Sequence, residues 1–392
     1  MIITNGKIYT MEEDKQTQEG PVIENGFVRV QDGKIQEIGE MNSLDKSSLE
    51  NEEVFDAQGG YVLPGIIDAH AHLGLSSDAT GWQDMDINEV IEPVTPELRA
   101  IDGLNPLTKG FEEARDMGIT TIITGPGSAN LIGGQLVAVK TYGKRVDDII
   151  IKAPVAMKMA LGENPKRVYG QERKKSPFTR MSSTAIIRET LFKVQEYIAL
   201  KEHKDASKHP KLDFRLESLI PVLKREIPAH IHCHKADDIY TAIRIAKEFD
   251  LDLVIVHGTE GHLIVDDLQK EGYGVISGPH MTARSKPEVK NKTFKSPGVL
   301  ANAGILTSLT VDHPVVPIEN LLICAGLAVR EGMSELDALK SVTINGAINA
   351  RIQDRVGSLR VGKDADIAVF NRHPFDLQTQ TTCVLIDGKR VK

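Results

Sequence analysis

The sequence predicts a (β/α)8 barrel carrying a small β domain made from both chain ends. Three observations lead there. The two ends share a β-hairpin style that the middle lacks. The middle alternates apolar, β-branched runs with stretches of helical periodicity, the pattern of a parallel sheet covered on both faces. Histidines and an aspartate follow several of those runs, and in a barrel the C-terminal strand ends form one mouth. At 392 residues and 41% hydrophobic content, the chain can bury one large core and a second, smaller unit.

Residues 1–60 hold the strand-like runs Ile2–Tyr9 and Phe27–Val30, then Asp32-Gly33-Lys34 and Ile35–Ile38. Asp-Gly between alternating apolar residues marks a hairpin, because both central turn residues need positive φ. Residues 357–392 repeat the style with Ala365–Phe370, Cys383–Ile386 and Asp387-Gly388-Lys389. Neither end buries a core alone, so the two predict one β-sandwich, with residues 61–356 forming the barrel between them. In that middle part Val62–Ala69 reads as the first strand. Leu107–Met117 is a helix stopped by Gly118, and Ile119–Thr124 is the next strand. Ile149–Leu161, Ala229–Cys233, Leu253–His257, Gly274–Ser277 and Ile305–Val311 are further strands. Thr184–Leu200, Leu216–Glu226, Asp237–Phe249, Val265–Lys270, Ile318–Glu331 and Ser334–Ala350 are helical. About seven strands are visible, which favours a closed eight-stranded barrel over an open sheet. The fourth is not visible, and the polar stretch 203–215 is its expected place.

The net charge of −8 argues against nucleic acid as the main partner, since phosphate binding needs clustered Lys and Arg. The one dense basic run, Lys166 to Lys175, reads as a solvated loop or an anion-contact loop. Three cysteines, Cys233, Cys324 and Cys383, with no CxxC, do not make a disulfide framework and point to a reducing compartment. The N-terminus lacks a leader pattern, and no apolar stretch nears the roughly 18 residues that span a bilayer. A cytoplasmic protein with no membrane partner is the expectation.

Leu63-Pro64-Gly65-Ile66-Ile67-Asp68-Ala69-His70-Ala71-His72 carries the strongest signal. Residues two apart on a strand face the same way, so His70 and His72 can grip one ion. His230, His232 and His234 share a face in the same manner. His232 is favoured as the ligand, with His230 a layer deeper and His234 in the loop beyond. His257 ends a clean strand and is a second ligand candidate, whereas His262 starts a helix and reads as structural. Asp312 ends another strand and is read as ligand and proton shuttle. Neutral imidazole and carboxylate suit Zn2+ and similar divalent ions, which lower the pKa of bound water towards ~7. A carboxylate beside that water can take its proton and deliver it to a leaving nitrogen.

These residues resemble the amidohydrolase superfamily over essentially the whole chain. The resemblance rests on the first-strand motif ending at His72, on His232, His257 and Asp312, and on the late segment Val356-Gly-Ser-Leu-Arg-Val-Gly-Lys-Asp-Ala-Asp-Ile-Ala-Val369. Within it the chain is similar to the imidazolonepropionase-related branch, which includes prolidase-type members. The resemblance implies one or two divalent metal ions, with Zn2+ expected. His70 and His72 would hold the first, and His232 and His257 the second or the rest of a single site. Asp312 would be the acid/base. It also implies a bridging anion at the end of the fourth strand, a carboxylated lysine or a glutamate. Glu163, already charged and at the end of an apolar run, is favoured; Lys158 lies deeper and is the alternative.

For the substrate, Gln135 sits in the polar loop 130–135, and Lys166, Arg167, Tyr169 and Arg180 follow Glu163 and could hold a carboxylate. His280 and Arg284 lie beyond the seventh strand, where His280 could touch the scissile carbonyl. Trp82 reads as pocket wall or packing, and Met157 and Met159 as core. The expected activity is hydrolysis of a C–N bond in a small, anionic molecule: a cyclic amide, an N-acyl amino acid or a dipeptide. Deamination of an aminated heterocycle would use the same ligands, and a metal-free scaffold is a third reading. A homo-oligomer is expected by resemblance alone.

Overall fold

The computed structural model describes residues 1–12, 22–45, 49, 52–76 and 81–392. Alternating burial builds the N-terminal part into a sheet. β1 (Ile2–Tyr9) pairs antiparallel with β2 (Val22–Gln31), and β2 with β3 (Lys34–Glu40). Asp32 and Gly33 turn between β2 and β3 with φ of 51° and 76°, as an Asp-Gly hairpin requires. β4 (Val54–Asp56) and β5 (Tyr61–Pro64) both run parallel to β1.

The apolar run 62–69 is not one strand. It breaks at Gly65 into β5, which stays in the first sheet, and β6 (Ile66–Ala71), which enters the barrel. A Cβ on Gly65 would stand 1.9 Å from the Thr120 hydroxyl oxygen, so only glycine lets the chain cross from one sheet to the other here.

The barrel sheet continues with β7 (Ile119–Thr124), β8 (Ile132–Lys140), β9 (Ile150–Ala160), β10 (Ala229–Cys233), β11 (Leu253–His257), β12 (Gly274–Ser277) and β13 (Thr307–Leu309). Neighbours are parallel except at β8, which is antiparallel to both β7 and β9. Two expectations change here. The segment 130–135 is no loop beyond its first residues, because Ile132 to Gln135 begin β8. The missing fourth strand is not in 203–215, which holds a short 3-10 turn at Ala206–Lys208 and the start of the helix Phe214–Leu223. The overlooked strand is β8, and β9 is therefore the fourth. β13 meets β6 through His72 N–H to the His313 carbonyl (2.8 Å), Val311 N–H to Asp68 Oδ2 (3.4 Å) and the Thr310 hydroxyl to the His70 carbonyl, so the barrel is nearly closed.

Helices cover the outside. Arg180–Lys201, Phe214–Leu223 and Ala236–Phe249 pack their apolar stripes on β9 to β11, burying Ile187, Leu191, Leu219, Ile243 and Phe249. The expected helix 334–350 is two, Glu335–Ser341 and Ile344–Asn349. Between them the Val342 carbonyl turns aside to accept the Ile67 N–H at 2.8 Å. No described helix is long and apolar enough to cross a membrane.

The chain then returns to the first sheet. β14 (Ile367–Phe370) pairs with β5, and β15 (Thr381–Ile386) and β16 (Lys389–Arg390) follow. The second Asp-Gly turn, Asp387-Gly388, lies against the first: Gly33 is close enough that an added Cβ would sit 3.2 Å from the Asp387 carbonyl oxygen. Side chains from both chain ends, among them Val28, Ile35, Val369 and Leu385, share one core.

Candidate metal centre

Strand direction decides the site. Parallel strands deliver their C-terminal residues to one mouth, and there the structure brings together six metal-type side chains in two groups. His70, His72 and Asp312 form one, and His232, His234 and His257 the other; all six are buried. Within each group the ligand atoms lie within 4.8 Å of one another. The groups adjoin, with the ring centres of His70 and His257 5.8 Å apart.

In the first group, Asp312 Oδ1 lies 3.2 Å from His72 Nε2 and 3.8 Å from His70 Nε2. His72 Nδ1 meets the Gly125 carbonyl at 2.7 Å, which fixes its ring and turns Nε2 inward. In the second, His257 Nδ1 meets the Gly278 carbonyl and His234 Nδ1 the Thr259 hydroxyl, both at 2.7 Å. Neither ring nitrogen of His232 has a hydrogen-bond partner, although the side chain is 2% exposed. His257 and Asp312 hold positive φ, 74° and 57°, a conformation costly for branched or bulky residues and common at functional sites.

Burial pushes the imidazoles towards the neutral form: His70, His232 and His234 fall well below the usual range, and His257 falls to about 4. For Asp312 burial pulls upward, but the hydrogen bond from His72 and the charges of His257 and Lys158 outweigh it and keep the carboxyl acidic. Neutral imidazoles and one ionised carboxylate are the donor set a divalent ion needs. The unpartnered His232 ring nitrogens would otherwise be buried polar atoms without compensation. The residues present fit a metal.

Lys158 and Glu163 separate clearly. Lys158 on β9 is fully buried, its Nζ 2.9 Å from His70 Nε2, and burial lowers its pKa to about 8. Glu163 is half-buried in the loop after β9 and belongs to neither group; its backbone N–H donates to Glu288 Oε2 at 2.9 Å. His230 faces the barrel interior one layer down, against the Asn349 carbonyl. His234 lies in the loop just past β10, as expected, and its side chain there joins His232 and His257.

A cavity of about 370 Å³ opens above the histidines, lined by His72, His232, His234 and Asp312 and by Asn88, Ser128, Asn164 and Lys286. The expected substrate residues are mostly elsewhere. Tyr169 is buried in a wall, its hydroxyl donating to the Glu92 carbonyl at 2.6 Å. Arg167 pairs with Glu172, and Arg180 grips Asp238 with two hydrogen bonds of 2.7 and 2.9 Å. Gln135 donates to the Pro96 carbonyl, and Arg284 to the Lys292 carbonyl. Lys166 is half-buried and does not line the cavity. His280 is buried with Nε2 3.1 Å from the Ser277 hydroxyl and is likewise absent from the lining. Trp82 is exposed, and Met157 and Met159 are core. Reasoning from sequence passed over Asp68, Lys286 and Glu288. Asp68 lay inside the quoted motif; it takes the His70 N–H, and burial raises its pKa to about 7. Lys286 and Glu288 sit in a polar loop with no spacing signal.

The sequence model of the Amidohydrolase family matches residues 61–391. The chain belongs to that family. An amidohydrolase from Thermotoga maritima, solved by crystallography, is 39% identical, with full coverage of this chain, 99% of that chain and a TM-score of 0.91. The imidazolonepropionase of Streptococcus pyogenes is 24% identical over 92% of this chain and 87% of its own length. The amidohydrolase tasK of Hapsidospora irregularis is 27% identical over 97% of this chain, which spans only 41% of that longer protein. These similarities place this amidohydrolase in the imidazolonepropionase-related branch, and it is a hydrolase of carbon–nitrogen bonds.

Proposed function

We propose that the protein is a metal-dependent amidohydrolase that cleaves an amide C–N bond in a small substrate carrying a carboxylate: a cyclic amide, an N-acyl amino acid or a dipeptide. The observation that carries it is the convergence of the two buried groups on one cavity. His70, His72 and Asp312 would hold one divalent ion, with Zn2+ favoured by the imidazole-rich set, and His232 and His257 a second. Such an ion supplies Lewis acidity, making water nucleophilic at neutral pH and polarising a carbonyl. Lys158, beside His70 and with its pKa lowered, is the better bridge than Glu163. Its neutral amine can add to the carbon of CO2, lose a proton and become a carbamate anion.

Asp312 is placed to accept the proton of the attacking water and pass it to the leaving nitrogen. Lys286, with Ser128 and Asn164 on the same wall, supplies a cation and donors for the substrate carboxylate, the role earlier expected of Lys166, Arg167, Tyr169 and Arg180. The reading includes a cytoplasmic setting, in keeping with three buried thiols.

The test is turnover of a panel of dipeptides, N-acyl amino acids, cyclic amides and aminated heterocycles, before and after chelation and reloading with Zn2+. Chelator-sensitive release of a free carboxylate and amine from the first three classes supports the proposal. Ammonia release from heterocycles alone would replace it with deamination, and chelator-insensitive turnover would remove the metal.

A further inference from the structure

Glu288 is an unusual neighbour for the second histidine group. It lies in the loop after β12, its side chain 1% exposed. Its Oε1 points at the histidines, 3.9 Å from His232 Nε2 and 3.7 Å from His234 Nε2. Its Oε2 is held in place by the Glu163 N–H. The three imidazoles are prepared on the other side, since His234 and His257 have Nδ1 tied down and His232 Nε2 is buried without a partner.

We propose that Glu288 is a metal ligand, and that with His232, His234 and His257 it forms a four-residue site. This rests on the metal-dependent reading above. Three neutral nitrogens and one carboxylate complete the tetrahedral set that Zn2+ prefers. Burying a carboxylate is costly without a cation, and Lys286 Nζ, 2.5 Å from Oε1, fills that role when no ion is near. An entering ion competes with Lys286 for the same oxygen. Taking that place returns the ammonium group to the cavity wall, where Asn164 Oδ1 already lies 3.0 Å from it. Metal loading and the cation available to substrate are thereby coupled.

The experiment is Zn2+ titration of chelator-stripped full-length chain, with anomalous diffraction at the zinc edge of the loaded wild type. The wild type is expected to bind two ions, the second with a Glu288 oxygen at about 2.0–2.2 Å. Glu288→Gln, which keeps the bond from Glu163, should weaken one ion roughly 100-fold and spare the other. Lys286→Met should tighten that same ion, an effect a purely structural Glu288 would not give. Two ions with unchanged affinity in Glu288→Gln, or a second ion with no carboxylate contact, would overturn the inference and leave the metal-dependent reading standing. A wild type holding one ion at His70, His72 and Asp312 would also overturn it. A wild type binding none would overturn both. The diffraction result decides the matter on the unmutated chain if the variants do not fold.

Discussion

Asp312 holds its Oδ1 between two imidazoles, 3.2 Å from His72 and 3.8 Å from His70, largely shielded yet kept acidic by its neighbours. If that oxygen carries the proton between water and leaving group, Asp312→Asn should fold, bind metal and lose about 10²–10⁴-fold in kcat. Steady-state kinetics checks this, and turnover within a few-fold of wild type would remove the role. Lys158 makes a different prediction. Its Nζ lies 2.9 Å from His70 in the first group, and its charge also bears on His232 and His257 in the second. If Lys158 is the bridge beside His70, Lys158→Met should lower affinity most for the ion at His70, His72 and Asp312, as seen by metal titration, and less for an ion at His232 and His257. At this scale the sequence was most informative where spacing has a direct meaning. His70, His72, His232, His257 and Asp312 were all legible as strand-end residues. His234 lies one residue past the strand end at Cys233, as expected, yet still turns its ring to His232 and His257. Glu288 and Lys286 had no such signal, because a loop side chain reaches the site through tertiary folding that local pattern does not encode.

At the scale of elements, the first sheet and the barrel are joined by single residues. Gly65 marks the crossing from β5 to β6, against the β-branched Thr120. Gly65→Ala should destabilise the fold by about 1–3 kcal/mol, read as a lower midpoint in urea unfolding with an unchanged slope. The strand count shows where periodicity fails. β8 contains Gly133-Gly134 after Asn130, which reads locally as a turn. In the structure Gly134 has φ 127° and lies where a Cβ would be 2.5 Å from the Leu98 carbonyl oxygen, so glycine serves a close approach between two backbone segments within a strand. Its antiparallel run is equally hidden, since alternating β and α units imply parallel neighbours. Losing β8 from the count displaced the fourth strand, while Glu163 was favoured over Lys158 for its charge and its place at the end of the apolar run.

Over the whole molecule, the barrel and the sheet from the chain ends are bound by a buried ionic cluster. Lys140, at the end of β8 and 3% exposed, lies 3.0 Å from Asp364, 2.6 Å from Asp366 and 3.2 Å from Asp387. Lys34 and Arg355 add to Asp364 at 2.6 and 2.7 Å. These cations outweigh burial and hold Asp364 down at about 2, whereas burial raises Asp366 despite Lys140. A lowered carboxyl pKa contributes stability above its unfolded value, and that contribution fades as pH falls towards 2. Lys140→Met leaves the buried Asp366 without its cation, while Asp364 keeps Lys34 and Arg355, and should cost about 3 kcal/mol at pH 7. The gap from wild type should narrow as pH drops from 7 to 3, because protonation relieves the variant; a constant gap in parallel urea titrations would mean that the lysine acts by packing alone.

Divalent ions at the barrel mouth are what the proposed chemistry requires. Elemental analysis of the purified chain, with turnover followed through chelation and Zn2+ return, tests this most directly. The prediction is about two ions per chain and activity that disappears and recovers with them. A chain that carries no metal and hydrolyses its substrate undisturbed by chelator would contradict it.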